Sequence, residues 1–109
     1  MKEKILEFYK FCDLHIGSQI FIKSQLSTNK GTFDRHFTST SEMYFMLENF
    51  VVRTSGARAM FIGENQSYEI ANDDIASISM DKDGVYDIME KLSDTVFRKT
   101  ILHFKKSGE

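Results

Sequence analysis

The chain has 109 residues, a formal net charge of -2 and 41% hydrophobic residues, enough for one domain with a core across residues 1–109. This charge balance argues against a protein that coats nucleic acid over its whole surface, so any anion-binding surface must be local. The first residues alternate charged and apolar side chains, which predicts neither a signal peptide nor a membrane span. The single cysteine, Cys12, cannot form an internal disulfide, and we expect a cytoplasmic protein.

The N-terminal segment has the periodicity of a helix. Across residues 2–15 apolar side chains recur on one helical face, and Gly17 is placed to end the helix. The next segment, SQIFIKSQLS, alternates in the way of a half-buried strand, with Ile20 and Ile22 on one side. The other side carries Phe21, Lys23 and Gln25, and Asn29-Lys30-Gly31 then predicts a turn.

The middle of the chain is rich in β-forming residues. The stretch TFDRHFTSTSE predicts a short edge strand that closes in a polar Thr-Ser loop. The runs MYFMLENFVV, ARAMFI, QSYEIA and DIASISM follow, and turn residues separate them. We therefore expect an antiparallel meander.

The C-terminal third predicts a helix and then a strand. Val85, Ile88, Met89 and Leu92 fall on one helical face, which indicates a second helix near residues 84–93. The last segment, TVFRKTILHFKK, could prolong this helix, but its β-branched residues favour a strand over residues 95–104. The predicted fold is α+β, a small antiparallel, partly closed β-barrel or meander with these two helices.

The pattern ENFVVRTSGARAMFIG predicts a hairpin that sets two arginines opposite each other. Arg53 faces Arg58 whether the loop has two or four residues, and like charges so placed cost stability. Two adjacent guanidinium groups form a fork suited to a phosphate or carboxylate. Alternatively, each arginine pairs with an acid such as Glu69 or Glu48, each extends into water, or a three-residue loop breaks the pairing.

Further cations and aromatic residues could join such a surface. The last strand carries a basic group that its alternation splits between two sides, with Lys99, His103 and Lys105 on one and Arg98 and Lys106 on the other, although lysines there could equally protect a sheet edge. Phe33 and Phe37 flank Arg35, and Tyr44 and Tyr68 lie near strand ends, where rings could stack on unpaired bases or belong to the core. The predicted nucleic-acid contacts are Arg53, Arg58, Arg35, Arg98, Lys99 and Lys105.

Catalytic and metal-binding motifs are not recognisable. There is no phosphate loop and no nucleophile elbow, so we predict no enzyme, no cofactor and no metal. The stretch SMDKDGVYDIME matches part of a calcium-binding loop, but Ser79 stands where the first carboxylate belongs. A polar turn is the simpler interpretation.

The order of the elements resembles known RNA-binding modules. A helix that ends at Gly17, the strand QIFIKSQLS and the meander FVVRTSGARAMFIGENQSYEIANDDIASI are similar in outline to Sm-like and PUA-like β-barrels. The segment KILEFYKFCDLHIGSQIFIKS resembles small PrgU-like regulators of Gram-positive conjugative plasmids, which are PUA-like. The resemblance implies an RNA-binding regulator, a plasmid or phage accessory protein.

The sequence thus predicts a non-enzymatic regulatory module that binds nucleic acid, RNA in particular, through a local basic patch. The alternative is a protein-interaction module or inhibitor, because residues 64–94 hold nine acids against two lysines and could attract a basic partner. The many apolar strands also predict a homodimer, and no membrane contact is expected.

Overall fold

The computed structural model describes residues 2–28, 37–53 and 57–105, with the backbone alone at residues 37 and 38. These residues form one helix, eight strands and a short 3-10 turn. Their bounds are α1 Lys2–Leu14, β1 Gln19–Ser27, β2 Phe37–Met46, β3 Asn49–Arg53, β4 Arg58–Ile62, β5 Ser67–Ala71, the 3-10 turn Asn72–Asp74, β6 Ile75–Met80, β7 Tyr86–Lys91 and β8 Phe97–Lys105. Over these ranges, no helix has the length and apolarity that crossing a membrane requires.

The strands form two open antiparallel sheets. Sheet A has five strands in the order β2-β1-β8-β7-β6, and sheet B has three in the order β3-β4-β5. The described strands do not close into a barrel, so the partly closed barrel was wrong. Of the runs expected as one meander, only β3, β4 and β5 pair consecutively, in sheet B, while β6 pairs with β7 in sheet A. The broad α+β class is confirmed.

The chain leaves sheet A for sheet B within two residues. The backbone N–H of Leu47 donates to Ser18 O (2.9 Å), beside β1 in sheet A, whereas that of Glu48 donates to Ile62 O (2.8 Å) in sheet B. Buried Leu47 thus marks the end of one sheet and the start of the other. The run MYFMLENFVV, expected as one strand, is therefore divided between β2 and β3.

Helix α1 packs against the inner faces of both sheets. The ring of Phe8 lies 6.1 Å from that of Phe61 in sheet B and 4.8 Å from that of Tyr86 in sheet A. The sheets also meet directly, because the hydroxyl oxygens of Tyr68 and Thr100 are 2.6 Å apart in a buried hydrogen bond. Each sheet therefore has an inner face toward this core and an outer face away from it.

The expected second helix is a strand instead. Tyr86, Ile88 and Glu90 of β7 point inward and are buried, while Asp87 and Met89 point outward. The sequence does not show this alternation, because the inward position 90 holds the carboxylate of Glu90 and the outward position 89 holds the apolar side chain of Met89. The apolar residues alone then fall at helical spacing, which explains the error.

The Thr-Ser run expected as a loop lies within β2, where Ser39, Thr40 and Ser41 pair with Leu26, Gln25 and Ser24 of β1. The predicted α1, β1 and C-terminal strand are confirmed, and Gly17 ends the helical segment with a positive φ of 100°. The predicted turn at residues 29–31 and the start of the edge strand lie outside the described residues.

Candidate nucleic-acid interface

Three ring side chains form a row on the outer face of sheet A. Phe21 of β1 lies opposite Tyr44 of β2 on one side and opposite His103 of β8 on the other. Residues directly opposite in an antiparallel sheet point to the same face, and neighbouring strands are about 4.8 Å apart. We call Tyr44, Phe21 and His103 the ring row.

The ring row is accessible and partly held in place. Tyr44 is 48% exposed and His103 is also exposed, whereas Phe21 is half-buried. The Tyr44 hydroxyl donates to Gln19 Oε1 (2.7 Å), which fixes the tyrosine ring across β1. The Phe21 and Tyr44 ring centroids are 6.3 Å apart and tilted by 57°, so the two rings do not stack on each other.

Lysines flank the ring row on the same face. Lys23 lies two residues along β1 from Phe21, and Lys105 lies two residues along β8 from His103. Neither lysine forms an ion pair within 4.0 Å with an acid of the described ranges. Lys99 is farther along β8, with its Nζ 3.6 Å from Asp87 Oδ2. The surface therefore combines rings, two cations that have no salt-bridge partner there, and one carboxylate, that of Glu42, directly opposite Lys23.

The hairpin arginines occupy a different surface. Arg53 lies directly opposite Arg58, which confirms the predicted register, and both side chains are exposed. Val51 and Met60 lie behind them on the same outer face of sheet B. In the part of the chain that the structure describes, neither arginine forms a salt bridge, and Glu69 and Glu48 do not reach them.

We call Arg53 and Arg58 the fork. The fork and the ring row do not form one basic surface. They lie on the outer faces of different sheets, and those sheets pack together through their inner faces. A single short ligand strand therefore cannot contact both without passing around the molecule.

Arg98 is half-buried and bonded to groups of both sheets rather than free on either surface. Its Nε donates to Glu90 Oε1 (2.8 Å), and its Nη2 donates to Glu90 Oε2 (2.9 Å) and Glu69 O (2.8 Å). Burial lowers the pKa of Arg98, but the hydrogen bonds to Glu90 and the charges nearby outweigh it, so the pKa is raised. Its Cζ also lies 5.1 Å from the centre of the Tyr68 ring. These contacts leave the Arg98 guanidinium engaged within the protein rather than available to a phosphate.

Several predicted contact residues lie outside the described ranges. Arg35, Phe33 and Lys106 are among them, and Phe37 is described by its backbone alone. Tyr68, one of the candidate stacking rings, is buried and hydrogen-bonded to Thr100 on the inner face.

The acids of residues 64–94 do not form one continuous surface. Glu90 is fully buried, Asp87 and Asp94 lie near Lys99 and Lys91, and Asp81 accepts from the backbone N–H groups of its own turn. The others are spread over a loop, the outer face of β5 and the 3-10 turn. This dispersion weakens the idea of one acidic surface that attracts a basic partner.

Metal chemistry gains no support from the described geometry. Asp81 Oδ1 already accepts from the backbone N–H of Asp83 (2.8 Å) and of Val85 (3.1 Å), and Glu90 is bound to Arg98. Within the described ranges, no three potential metal ligands come together. Burial raises the pKa of the Cys12 thiol far above its usual range, which makes it an unreactive core residue.

The sequence interpretation did not include Phe21 and Lys23 among the candidate contacts. Their alternation correctly placed both on one side of β1, but only the pairing of β1 with β2 and β8 shows that Tyr44 and His103 stand beside them. Those partners are distant in the sequence, so no local pattern could align them.

Comparison with known proteins identifies no relative. No family model matches the chain, no curated protein matches it, and no solved structure matches its fold. The resemblance to Sm-like, PUA-like and PrgU-like modules therefore stays a prediction.

Proposed function

We propose that this protein is a non-enzymatic module that binds single-stranded nucleic acid, RNA in particular, on the outer face of sheet A. The observation that supports it is the ring row, one ring on each of three adjacent strands, with Lys23 and Lys105 beside it. The hairpin fork, central to the sequence-based hypothesis, is a separate candidate contact.

The chemistry of the face suits unpaired bases. Bases stack on exposed aromatic rings, with a contribution of about 1–3 kcal/mol per base, whatever the sequence. Lysines close to those rings neutralise the phosphates that join the bases. Tyr44 and Phe21 would take successive bases, and Lys23 and Lys105 would contact the backbone on either side.

The shape of the face favours single strands over a duplex. A broad sheet surface cannot enter the major groove of DNA, which admits a helix or a two-stranded ribbon. Bases inside a duplex are stacked on each other and cannot reach protein rings, whereas those of a single strand can be spread out. We therefore expect weak duplex binding and little dependence on sequence.

The test is fluorescence anisotropy with labelled single-stranded RNA, single-stranded DNA and duplex RNA pools at two salt concentrations. We expect single strands to bind more tightly than duplexes. Neutralising two phosphates, one by Lys23 and one by Lys105, should give a slope of log affinity against log salt of about -1.4, at ~0.7 per phosphate.

Matched variants test whether this affinity depends on the outer face of sheet A. Tyr44→Ala and Phe21→Ala should each reduce affinity about tenfold, the equivalent of 1.4 kcal/mol within the stacking range. Lys23→Glu should weaken binding, whereas Lys82→Glu, the same charge change in an exposed turn, should not. Thermal unfolding of each variant checks that the fold is intact.

A protein partner is the second candidate. Met46, Met89 and Ile101 share the outer face with the ring row, and an apolar, ring-containing sheet face also suits a protein ligand. If no RNA or DNA binds at low salt, the nucleic-acid proposal is refuted and this candidate takes its place.

A further inference from the structure

Sheet A ends in a long strand with an open edge. Strand β2 has 10 residues and pairs with β1 on one side, while the described residues supply no strand for the other side. Alternate backbone N–H and C=O groups of an edge strand point away from the sheet. They offer a template for another strand.

The edge of β5 in sheet B is closed by side chains. Arg98 Nη2 donates to Glu69 O, and the backbone N–H of Ala71 donates to Glu90 Oε2 at 3.0 Å. These contacts use backbone groups of β5 that another strand would otherwise engage. An added strand would have to displace the buried ion pair first.

The two remaining edges are short or irregular. Strand β6, at the opposite end of sheet A, has 6 residues and a register shift between Ile75 and Ser77. Strand β3 has 5 residues and ends at the exposed Arg53. Short strands, bulges and charged side chains are the usual means by which proteins prevent edge pairing.

Strand β2 has few of these protections. It contains no lysine and no proline, and its only charged residue is Glu42. Its one register shift against β1 lies at its first residues, between Leu26 and Ser27, and the pairing is continuous from there to Gln19, with Tyr44 and Met46 each 48% exposed. Of the four sheet edges that the described strands form, β2 is thus the one suited to pair.

We propose that β2 pairs antiparallel with β2 of a second copy, which joins two five-stranded sheets into one continuous sheet. An antiparallel edge is complementary to itself, because a two-fold axis normal to the sheet matches its donors with its own acceptors. The 10 residues give an edge of about 33 Å at ~3.3 Å per residue, longer than most strands. This inference does not depend on nucleic-acid binding.

The pairing has a geometric consequence for the ring row. A two-fold axis normal to the sheet keeps both outer faces on the same side, so the two ring rows lie on one surface with the Tyr44 side chains nearest the junction. Since like charges directly opposite are disfavoured, the axis should lie away from Glu42.

Sedimentation equilibrium of the full chain is the first test. We expect a dimer of the 12.6 kDa chain. Thr40→Glu adds a second carboxylate to this edge and should raise the dimer dissociation constant at least tenfold. Ser77→Glu, the same type of change on the exposed β6 edge, should leave it unchanged. A monomer at high concentration, or equal effects of the two variants, would overturn the proposal.

Chemical cross-linking is the second test and needs no destabilising variant. Ser41→Cys and Ser77→Cys both place a thiol at an exposed serine, one on each edge of sheet A, while the native Cys12 is buried. With a short bismaleimide, Ser41→Cys should give covalent dimers and Ser77→Cys should give none. Dimers at Ser77 alone, or at neither position, would contradict pairing through β2.

Discussion

Two pairs of charged residues face each other across neighbouring strands, and the structure treats them in opposite ways. Arg53 and Arg58 carry like charges and stay exposed on the outer face of sheet B. Glu90 and Arg98 carry opposite charges and lie on the inner face of sheet A, where Glu90 is fully buried. Repulsion is tolerated where water screens it, whereas a buried carboxylate requires a partner.

The buried pair also connects the two sheets. Besides its two bonds from Arg98, Glu90 accepts the backbone N–H of Ala71 in sheet B at 3.0 Å. Arg98 in turn reaches Glu69 O on the same strand. The Glu90–Arg98 pair therefore forms an ion pair within sheet A and also bonds sheet A to sheet B. The exposed arginines make neither kind of contact within the described residues.

Removing Arg98 gives the largest expected effect. Arg98→Met leaves the Glu90 carboxylate buried without its counter-charge, and we expect a loss of about 3–5 kcal/mol in the free energy of unfolding. Urea denaturation measures it. A loss below about 1 kcal/mol, the range of exposed pairs, would show that the pair is effectively solvated.

Replacing both Glu90 and Arg98 should lower the free energy of unfolding less than replacing Arg98 alone. In Glu90→Leu/Arg98→Met no buried charge remains, but the Ala71 N–H loses its acceptor, which costs about 1–3 kcal/mol. The same urea experiment on the single and double variants gives the coupling between the two residues. If the double variant is less stable than Arg98→Met alone, an uncompensated charge is not the main cost.

The exposed pair should respond weakly and with the opposite sign. Arg53→Glu replaces a repulsive cross-strand pair by an attractive one, so we expect a gain of about 0.2–1 kcal/mol in the free energy of unfolding. Arg53→Gln, which only removes the repulsion, should gain less. Equal gains would mean that no new ion pair forms with Arg58.

The same variant tests whether the fork binds nucleic acid. If the ring row is the main interface, Arg53→Glu should reduce RNA affinity less than Lys23→Glu does in the anisotropy assay. A larger reduction from Arg53→Glu would place the interface on sheet B.

A change of salt concentration should have the smallest effect, and it should alter the stability effect of the exposed pair more than that of the buried pair. Added salt screens the exposed arginines, so the gain from Arg53→Glu should shrink by a few tenths of a kcal/mol or more between low and high salt. The loss from Arg98→Met should change little because the buried carboxylate is shielded from ions. Denaturation at two salt concentrations checks both, and parallel changes would refute the contrast.

Much of the local structure could be predicted from the sequence. The period of the apolar residues determined α1 and β1, and the hairpin pattern determined the register of Arg53 opposite Arg58. Where an inward position held a carboxylate, at Glu90, the same reasoning failed and predicted a helix. The period of the apolar residues reveals only apolar burial. It cannot reveal that Glu90 is buried, because Glu90 is stabilised by Arg98, whose position beside it is known only from the strand pairing.

For β1, the β3-β4 hairpin and the last strand, the sequence by itself determined which side a residue takes, since alternation is a property of the extended backbone. Thus Phe21 was already grouped with Lys23, and Lys99 with His103 and Lys105. Only the tertiary structure decided that β1 pairs with both β2 and β8, which brings Tyr44, Phe21 and His103 into one row. It also separated the fork from the ring row, because the chain changes sheets at Leu47 and Glu48, where two hydrogen bonds to distant strands determine its path.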